Sequence, residues 1–148
     1  MINIDLAGQT ALITGGTLGI GRATAFELSR AGARVYVTCK WGSADVDELS
    51  KEFEACGASP PQVIEADVSV DEDTDSLLEK IARRESRIDI FVSNVGFAPL
   101  VKDLEDYVKR SFFKTIEYSS WPIIEYTKRI FARFGRMPGR VIGISSDG

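Results

Sequence analysis

The sequence predicts an α/β protein built on a doubly wound parallel sheet. Short apolar runs alternate with amphipathic segments of helical length along the whole chain, which implies βαβ units. The first and the last of those runs are almost unbroken in apolar residues, as in a sheet covered on both faces. A glycine cluster, Thr14-Gly15-Gly16-Thr17-Leu18-Gly19-Ile20-Gly21, falls at the junction of the first run and the first helical segment. The length of 148 residues suits one domain, and an apolar share of 44% suffices for a packed core. There are no repeats, low-complexity tracts or linkers.

Thr10 to Thr14 reads as the first strand and Gly19 to Ala31 as a helix closed by Gly32. Arg34 to Thr38 is the second strand. Asp45 to Cys56 is a helix ended by Gly57 and the Pro60-Pro61 pair. Val63 to Ala66 is the third strand. Val70 to Arg84 is a helix with Asp71, Glu72 and Asp73 in its first turn and Arg83-Arg84 at its end, a polarity that suits the helix dipole. Ile88 to Ser93 is the fourth strand, Asp103 to Phe134 is mostly helical, and Val141 to Ser145 is the fifth strand, a buried central element. In the long helical stretch, Ser119 and Ser120 are cap residues before a proline. Pro122 has no N–H for the carbonyl of Tyr118, so a break is expected between Tyr118 and Pro122. Beyond it, Ile123, Thr127, Ile130 and Phe134 share one helical face, for a core or a subunit contact.

Composition excludes several functions. A net charge of −4 with scattered basic residues argues against nucleic acid and anionic membrane as partners. Lys128-Arg129 and Arg133 to Arg136 read as a solvated helix face and its exit. The absence of histidine removes Ser-His-Asp and Cys-His catalysis and every His-ligated metal site. Cys39 and Cys56 are too far apart for a short metal motif and form no disulfide framework, so no metal is expected. A reducing, cytoplasmic setting fits this cysteine usage. Met1 to Asp5 lacks the pattern of a signal peptide, and no apolar run approaches the roughly 20 residues needed to span a bilayer.

The glycine cluster is the most specific segment. Glycines after a strand let the backbone turn sharply and approach a ligand closely, while the N–H groups and dipole of the following helix face a diphosphate. The spacing is Gly-x-x-x-Gly-x-Gly from Gly15 to Gly21, and no Gly-Lys-Ser/Thr follows, so it is not a nucleoside-triphosphatase loop.

Thr14 to Gly21 resembles the opening motif of the short-chain dehydrogenase/reductase family, and the resemblance continues in order along the chain. Ala66-Asp67-Val68 resembles the family's Asp-Val that holds the adenine ring. Ile88 to Gly96 resembles the strand ending in Asn-Asn-Ala-Gly, with Ser93 and Val95 as departures and Asn94 and Gly96 kept. Val141 to Ser146 resembles the fifth strand, which ends in the catalytic serine.

The resemblance implies a Rossmann-like sheet in the order 3-2-1-4-5, with a nicotinamide dinucleotide across the switch point. It implies cofactor contacts from Gly15, Thr17, Leu18, Gly19, Ile20 and Gly21, from Cys39 and Lys40, from Asp67 and Val68, and from Asn94, Val95 and Gly96. Cys39 stands where NAD-dependent members carry Asp, and Lys40 stands where NADP-dependent members often carry Arg. NADP(H) is therefore favoured over NAD(H), although Leu18 stands where some NADP-dependent members place a second basic residue.

The resemblance also implies an enzyme that moves hydride between nicotinamide and a carbonyl or secondary alcohol on a small molecule. Ser146 matches the serine that positions the substrate oxygen, and Ser119 falls near the position of an Asn in the proton relay. The proton-donating Tyr and the Lys that lowers its pKa are expected beyond Gly148, in a longer chain that forms a homodimer or homotetramer. One look-alike, Tyr36 and Lys40, has the right spacing but sits in a strand, far from Ser146. Two other readings stay open: a non-catalytic NAD(P)-binding module or sensor, fed by the departures at Ser93, Val95 and Ser119, and a different Rossmann enzyme such as a sugar-nucleotide epimerase.

Overall fold

A computed structural model describes residues 4–40 and 45–145. Its elements run β1 (Thr10–Ile13), α1 (Gly19–Arg30), β2 (Arg34–Cys39), α2 (Val46–Ala55), β3 (Gln62–Glu65), α3 (Asp71–Ala82), β4 (Ile90–Ser93), a 3-10 turn (Leu104–Asp106), α4 (Lys109–Ser119), α5 (Trp121–Phe134) and β5 (Arg140–Gly143). The five strands form one sheet in the order β3-β2-β1-β4-β5, and every neighbouring pair is parallel.

Strand geometry sends alternate side chains to opposite faces, and β1 uses both faces fully. Ala11 and Ile13 join Val35, Val37, Ile90 and Val92 beneath α1 and α2, where Ala25, Leu49 and Phe53 close the layer. Leu12, Tyr36 and Phe91 point the other way and meet Leu77, Leu78 and Ile81 of α3 and Tyr126 and Ile130 of α5. The rings of Phe91 and Tyr126 stack with centroids 5.4 Å apart. Fully burying a side chain such as Leu12 or Phe53 contributes about 1.5–3 kcal/mol against leaving it in water.

Two helix ends follow the expected chemistry. The Asp45 carboxylate caps α2 by accepting from Glu48 N at 3.0 Å, and Gly32, at φ +96°, turns the chain out of α1. The long helical stretch is interrupted at Ser120 (φ −118°, ψ −49°), between α4 and α5, and Pro122 enters the first turn of α5. Neither serine caps α5 through its side chain. Ser120 makes no cap hydrogen bond, and Ser119 Oγ bonds the backbone of Phe97 instead.

Two expectations change, and one open alternative resolves to the core. The apolar run of β5 predicts a buried strand covered on both faces, but all its residues are exposed among those described, with Val141 at 41% and Ile142 at 45%. Among the described residues it pairs only with β4, and α5 packs against it. Ile123, Ile130 and Phe134 pack into this chain's own core, the first of the two alternatives; Phe112, Phe113, Ile116, Trp121, Ile124 and Phe131 are the exposed apolar residues of α4 and α5. Arg129 is not a solvated charge. It pairs with Asp71 (2.9 Å) and Asp75 (2.6 Å) of α3 and with Glu125 (2.7 Å), fastening α5 to α3.

The N-terminal edge of the sheet is tied by Glu85. Its buried carboxylate accepts from Arg34 Nη2 at 2.7 Å, Tyr36 Oη at 3.1 Å and Thr10 Oγ1 at 3.2 Å, joining the end of α3 to β1 and β2. The Arg34 hydrogen bonds, strengthened by that of Tyr36, outweigh burial and hold the Glu85 carboxyl below the usual glutamate range. A depressed folded-state pKa contributes stability above the unfolded value of 4.5, and that contribution is lost as pH falls through the folded pKa. Glu85→Gln is therefore expected to lower unfolding stability by about 1–3 kcal/mol at pH 7, with the gap to the parent chain narrowing as the pH falls below the usual glutamate range. Urea unfolding at several pH values measures it, and a gap constant across that range refutes the assignment.

Candidate functional site

The strand order reverses direction at β1, whose neighbours are β2 and β4. Loops leaving the C-terminal ends of β1 and β4 therefore diverge to opposite sides and open a crevice between them. The glycine cluster leaves β1 at this crevice and leads into α1.

The cluster is anchored from both sides. From β2, Thr38 Oγ1 accepts from Gly15 N at 3.1 Å and the Thr38 carbonyl accepts from Gly16 N at 3.1 Å. From the end of β4, Asn94 Nδ2 donates to the carbonyls of Thr14 (3.1 Å) and Gly15 (3.0 Å), while Asn94 N donates to Thr14 Oγ1 at 3.0 Å. Gly15 adopts φ +64°, in the left-handed region that favours glycine. A Cβ on Gly21 would lie 2.3 Å from the Gly15 carbonyl oxygen and 2.5 Å from Asn94 Nδ2, so α1 approaches the loop too closely for any side chain there. Gly16, which is not one of the three glycines that define the spacing, has a packing role of its own: a Cβ on it would meet Val37 Cγ1 at 2.5 Å. The doubled glycine in the sequence was the available signal.

The start of α1 is suited to an anion. Leu18 is the N-cap residue and makes no side-chain cap bond, and the first turn holds no acidic residue. The first-turn amides and the positive end of the helix dipole are thus not occupied by the chain's own side chains. Leu18 and Ile20 are exposed on the rim at 61% and 63%, whereas Thr17 is buried. This cradle of small residues and uncapped amides fits a dinucleotide diphosphate.

At the β2–β3 end of the crevice, Cys39 closes β2 with its side chain buried, and Val68 is buried against the α3 side of the core. Lys40 follows β2 and reaches across to the end of β3. Its Nζ lies 2.5 Å from Asp67 Oδ2 and donates to Tyr118 Oη at 3.0 Å, and Tyr118 Oη donates on to Asp67 Oδ2 at 3.3 Å. Ser69 N and Oγ donate to Asp67 Oδ1 at 2.9 and 2.8 Å. Burial opposes both charges, yet the hydrogen bonds outweigh it: the Lys40 ammonium is held above its ordinary pKa and the Asp67 carboxyl below its own. Sequence reasoning found Lys40 and Asp67 separately but missed Tyr118, whose only visible sign was its place at the helix break.

On the β4 side, Val95 packs beside Gly15, where a Cβ would stand 3.0 Å from Val95 Cγ2, and Gly96 leads to Phe97. Ser119 Oγ accepts from Phe97 N at 2.8 Å and donates to its carbonyl at 3.2 Å, which fixes the loop after β4 to the end of α4. Ser146 lies outside the described residues. The look-alike pair is split along β2: Tyr36 Oη bonds Glu85 at the N-terminal edge, while Lys40 lies at the C-terminal edge with Asp67.

A parallel sheet with this strand order, and an uncapped helix start at its switch point, defines a dinucleotide-binding α/β protein. The chain belongs to the short chain dehydrogenase family, whose family model matches residues 9–148. It is 36% identical over 108 residues to a hydroxynaphthalene reductase of Aspergillus fumigatus, covering 70% of this chain and 39% of that protein. It is 31% identical over 147 residues to a rhamnolipid-biosynthesis 3-oxoacyl-[acyl-carrier-protein] reductase of Pseudomonas aeruginosa, covering 96% of this chain and 56% of that protein. The chain thus spans about half the length, or less, of these curated relatives. Among solved structures, the NADP active-site complex of Pseudomonas aeruginosa RhlG superposes with a TM-score of 0.75 at 29% identity, covering 87% of this chain and 49% of that one. An NADH-dependent reductase complexed with NAD superposes with a TM-score of 0.77 at 26% identity, covering 89% of this chain and 54% of that one.

Gly21→Ala places a methyl group against the Gly15 carbonyl and the Asn94 amide. It is expected to weaken nicotinamide dinucleotide binding at least tenfold, on the order of 1.4 kcal/mol, with little change in far-ultraviolet circular dichroism. Equal affinity in parent and variant by fluorescence titration refutes the role given to the loop.

Proposed function

We propose that this chain is the cofactor-binding part of an NADP(H)-dependent oxidoreductase acting on a carbonyl or secondary alcohol of a small molecule. The observation that carries the reading is the uncapped start of α1, set beside the glycine turn that Asn94 and Thr38 hold in place. The named relatives are reductases, and the solved neighbours hold NADP in one case and NAD in the other.

In this reading the amides of Gly19 to Gly21 and the turn from Gly15 hold the diphosphate, Asp67 and Val68 flank the adenine, and Lys40 meets the ribose 2′-phosphate. Bound nicotinamide supplies or accepts the hydride. Asn94 to Gly96 shape the wall of the crevice, and Ser119 keeps that wall in place through Phe97. Ser146 orients the substrate oxygen. Proton transfer falls to the Tyr and Lys that the family resemblance expects beyond Gly148. A cytoplasmic protein of two or four copies belongs to the same proposal. The exposed Phe112, Phe113, Ile116, Trp121 and Phe131 support the assembly, and no helix among the described residues is long and apolar enough to cross a membrane.

A second reading, a cofactor-binding module without chemistry, draws support from Ser119, whose hydroxyl is already engaged at both ends by Phe97.

Fluorescence titration separates the cofactors. NADPH is expected to bind more tightly than NADH, and Lys40→Ala is expected to remove most of that preference. Tighter NADH binding that is indifferent to Lys40→Ala removes the NADP(H) assignment while leaving dinucleotide binding intact.

A further inference from the structure

Lys40 is the cation on which the NADP(H) proposal rests, and the structure gives it a competing partner. Its ammonium sits 2.5 Å from the Asp67 carboxylate, 3.0 Å from the Tyr118 hydroxyl and 4.9 Å from the centroid of the Tyr118 ring. The cluster joins three elements: the end of β2, the end of β3 and the last turn of α4. It spans the adenosine end of the crevice. Lys40 and Asp67 together carry no net charge, so an approaching phosphate dianion meets the Asp67 carboxylate as well as the ammonium, and the two effects oppose each other. Asp67 is in turn held in place by two hydrogen bonds from Ser69, so the side chain able to move is the long, flexible lysine.

We propose that Asp67 and Tyr118 set the cofactor preference by competing with the ribose 2′-phosphate for Lys40. Without cofactor the ammonium is held over Asp67 and Tyr118; binding of the phosphorylated dinucleotide transfers it to the phosphate, while the unphosphorylated dinucleotide leaves it where it is. Discrimination between NADPH and NADH is then the difference between the phosphate and the groups that hold the ammonium in its absence, and it is smaller than the phosphate contact alone gives. The inference rests on the proposed role of Lys40 at the 2′-phosphate.

The test is the ratio of the NADH and NADPH dissociation constants, measured by fluorescence titration of the 148-residue chain and its variants. Adenine contacts are common to both dinucleotides and cancel in that ratio. Tyr118→Phe keeps the ring and removes the hydroxyl; Asp67→Asn keeps the shape and removes the charge. Each is expected to raise the ratio in favour of NADPH, by about two- to fivefold, the range of a partly exposed ion pair, and Lys40→Ala added to either is expected to abolish the gain. Circular dichroism checks that each variant is folded. An unchanged or lowered ratio in both single variants, with Lys40→Ala still lowering the parent's ratio, overturns the competition but keeps the NADP(H) reading. A parent ratio that Lys40→Ala leaves unchanged overturns both.

Discussion

The two hydrogen bonds from Asn94 Nδ2 to the carbonyls of Thr14 and Gly15 are the constraint on which the crevice depends. They join the ends of the two strands that flank the switch point, and they take up carbonyl oxygens that a sharp turn would otherwise leave unpaired. With these carbonyls engaged, the turn holds a single shape. Gly15 keeps its left-handed conformation, and Gly21 of α1 lies so near that no side chain fits between. The start of α1 is thereby aimed at the crevice with its amides uncapped. Asparagine suits this place because one amide nitrogen donates twice without carrying a charge.

The two edges of the sheet use polar chemistry to opposite ends. At the N-terminal edge, Glu85 gathers Arg34, Tyr36 and Thr10 into a closed network that ties α3 to the strands. Every partner there belongs to the scaffold, and its contribution is stability. At the C-terminal edge, Lys40, Asp67 and Tyr118 form a smaller cluster at the mouth of a crevice. In the proposed function, a charged ligand entering there would compete for the same partners. The break at Ser120 links the two sides. It ends α4 where Tyr118 faces Lys40 and Ser119 holds Phe97, so one irregularity in a helix positions both the Lys40–Asp67 cluster and the wall beyond Asn94.

Much of the scaffold was legible in the chain. The alternation of runs located five strands, with bounds that moved by a residue or two at most ends, and Pro122 located the helix break. The order of the strands came from the family resemblance, since alternation alone does not say which strands are neighbours. The roles of single side chains were less legible. Arg129 looked like a solvated charge because its partners Asp71 and Asp75 lie on another helix, far away in sequence. Ile123, Ile130 and Phe134 were correctly placed on one face, but helical periodicity does not say whether that face meets its own core or a second chain.

What the sequence by itself determined is local: the period of each apolar run, the glycines that a tight turn demands, the proline that a helix cannot carry through, and the ordered motifs of a family. Only the tertiary structure decided which distant groups meet. It set Lys40 beside Asp67 and Tyr118, and Ser119 beside Phe97. The physical reason is that hydrogen bonds and ion pairs act over a few ångströms in space, whereas a sequence pattern records neighbours only along the chain.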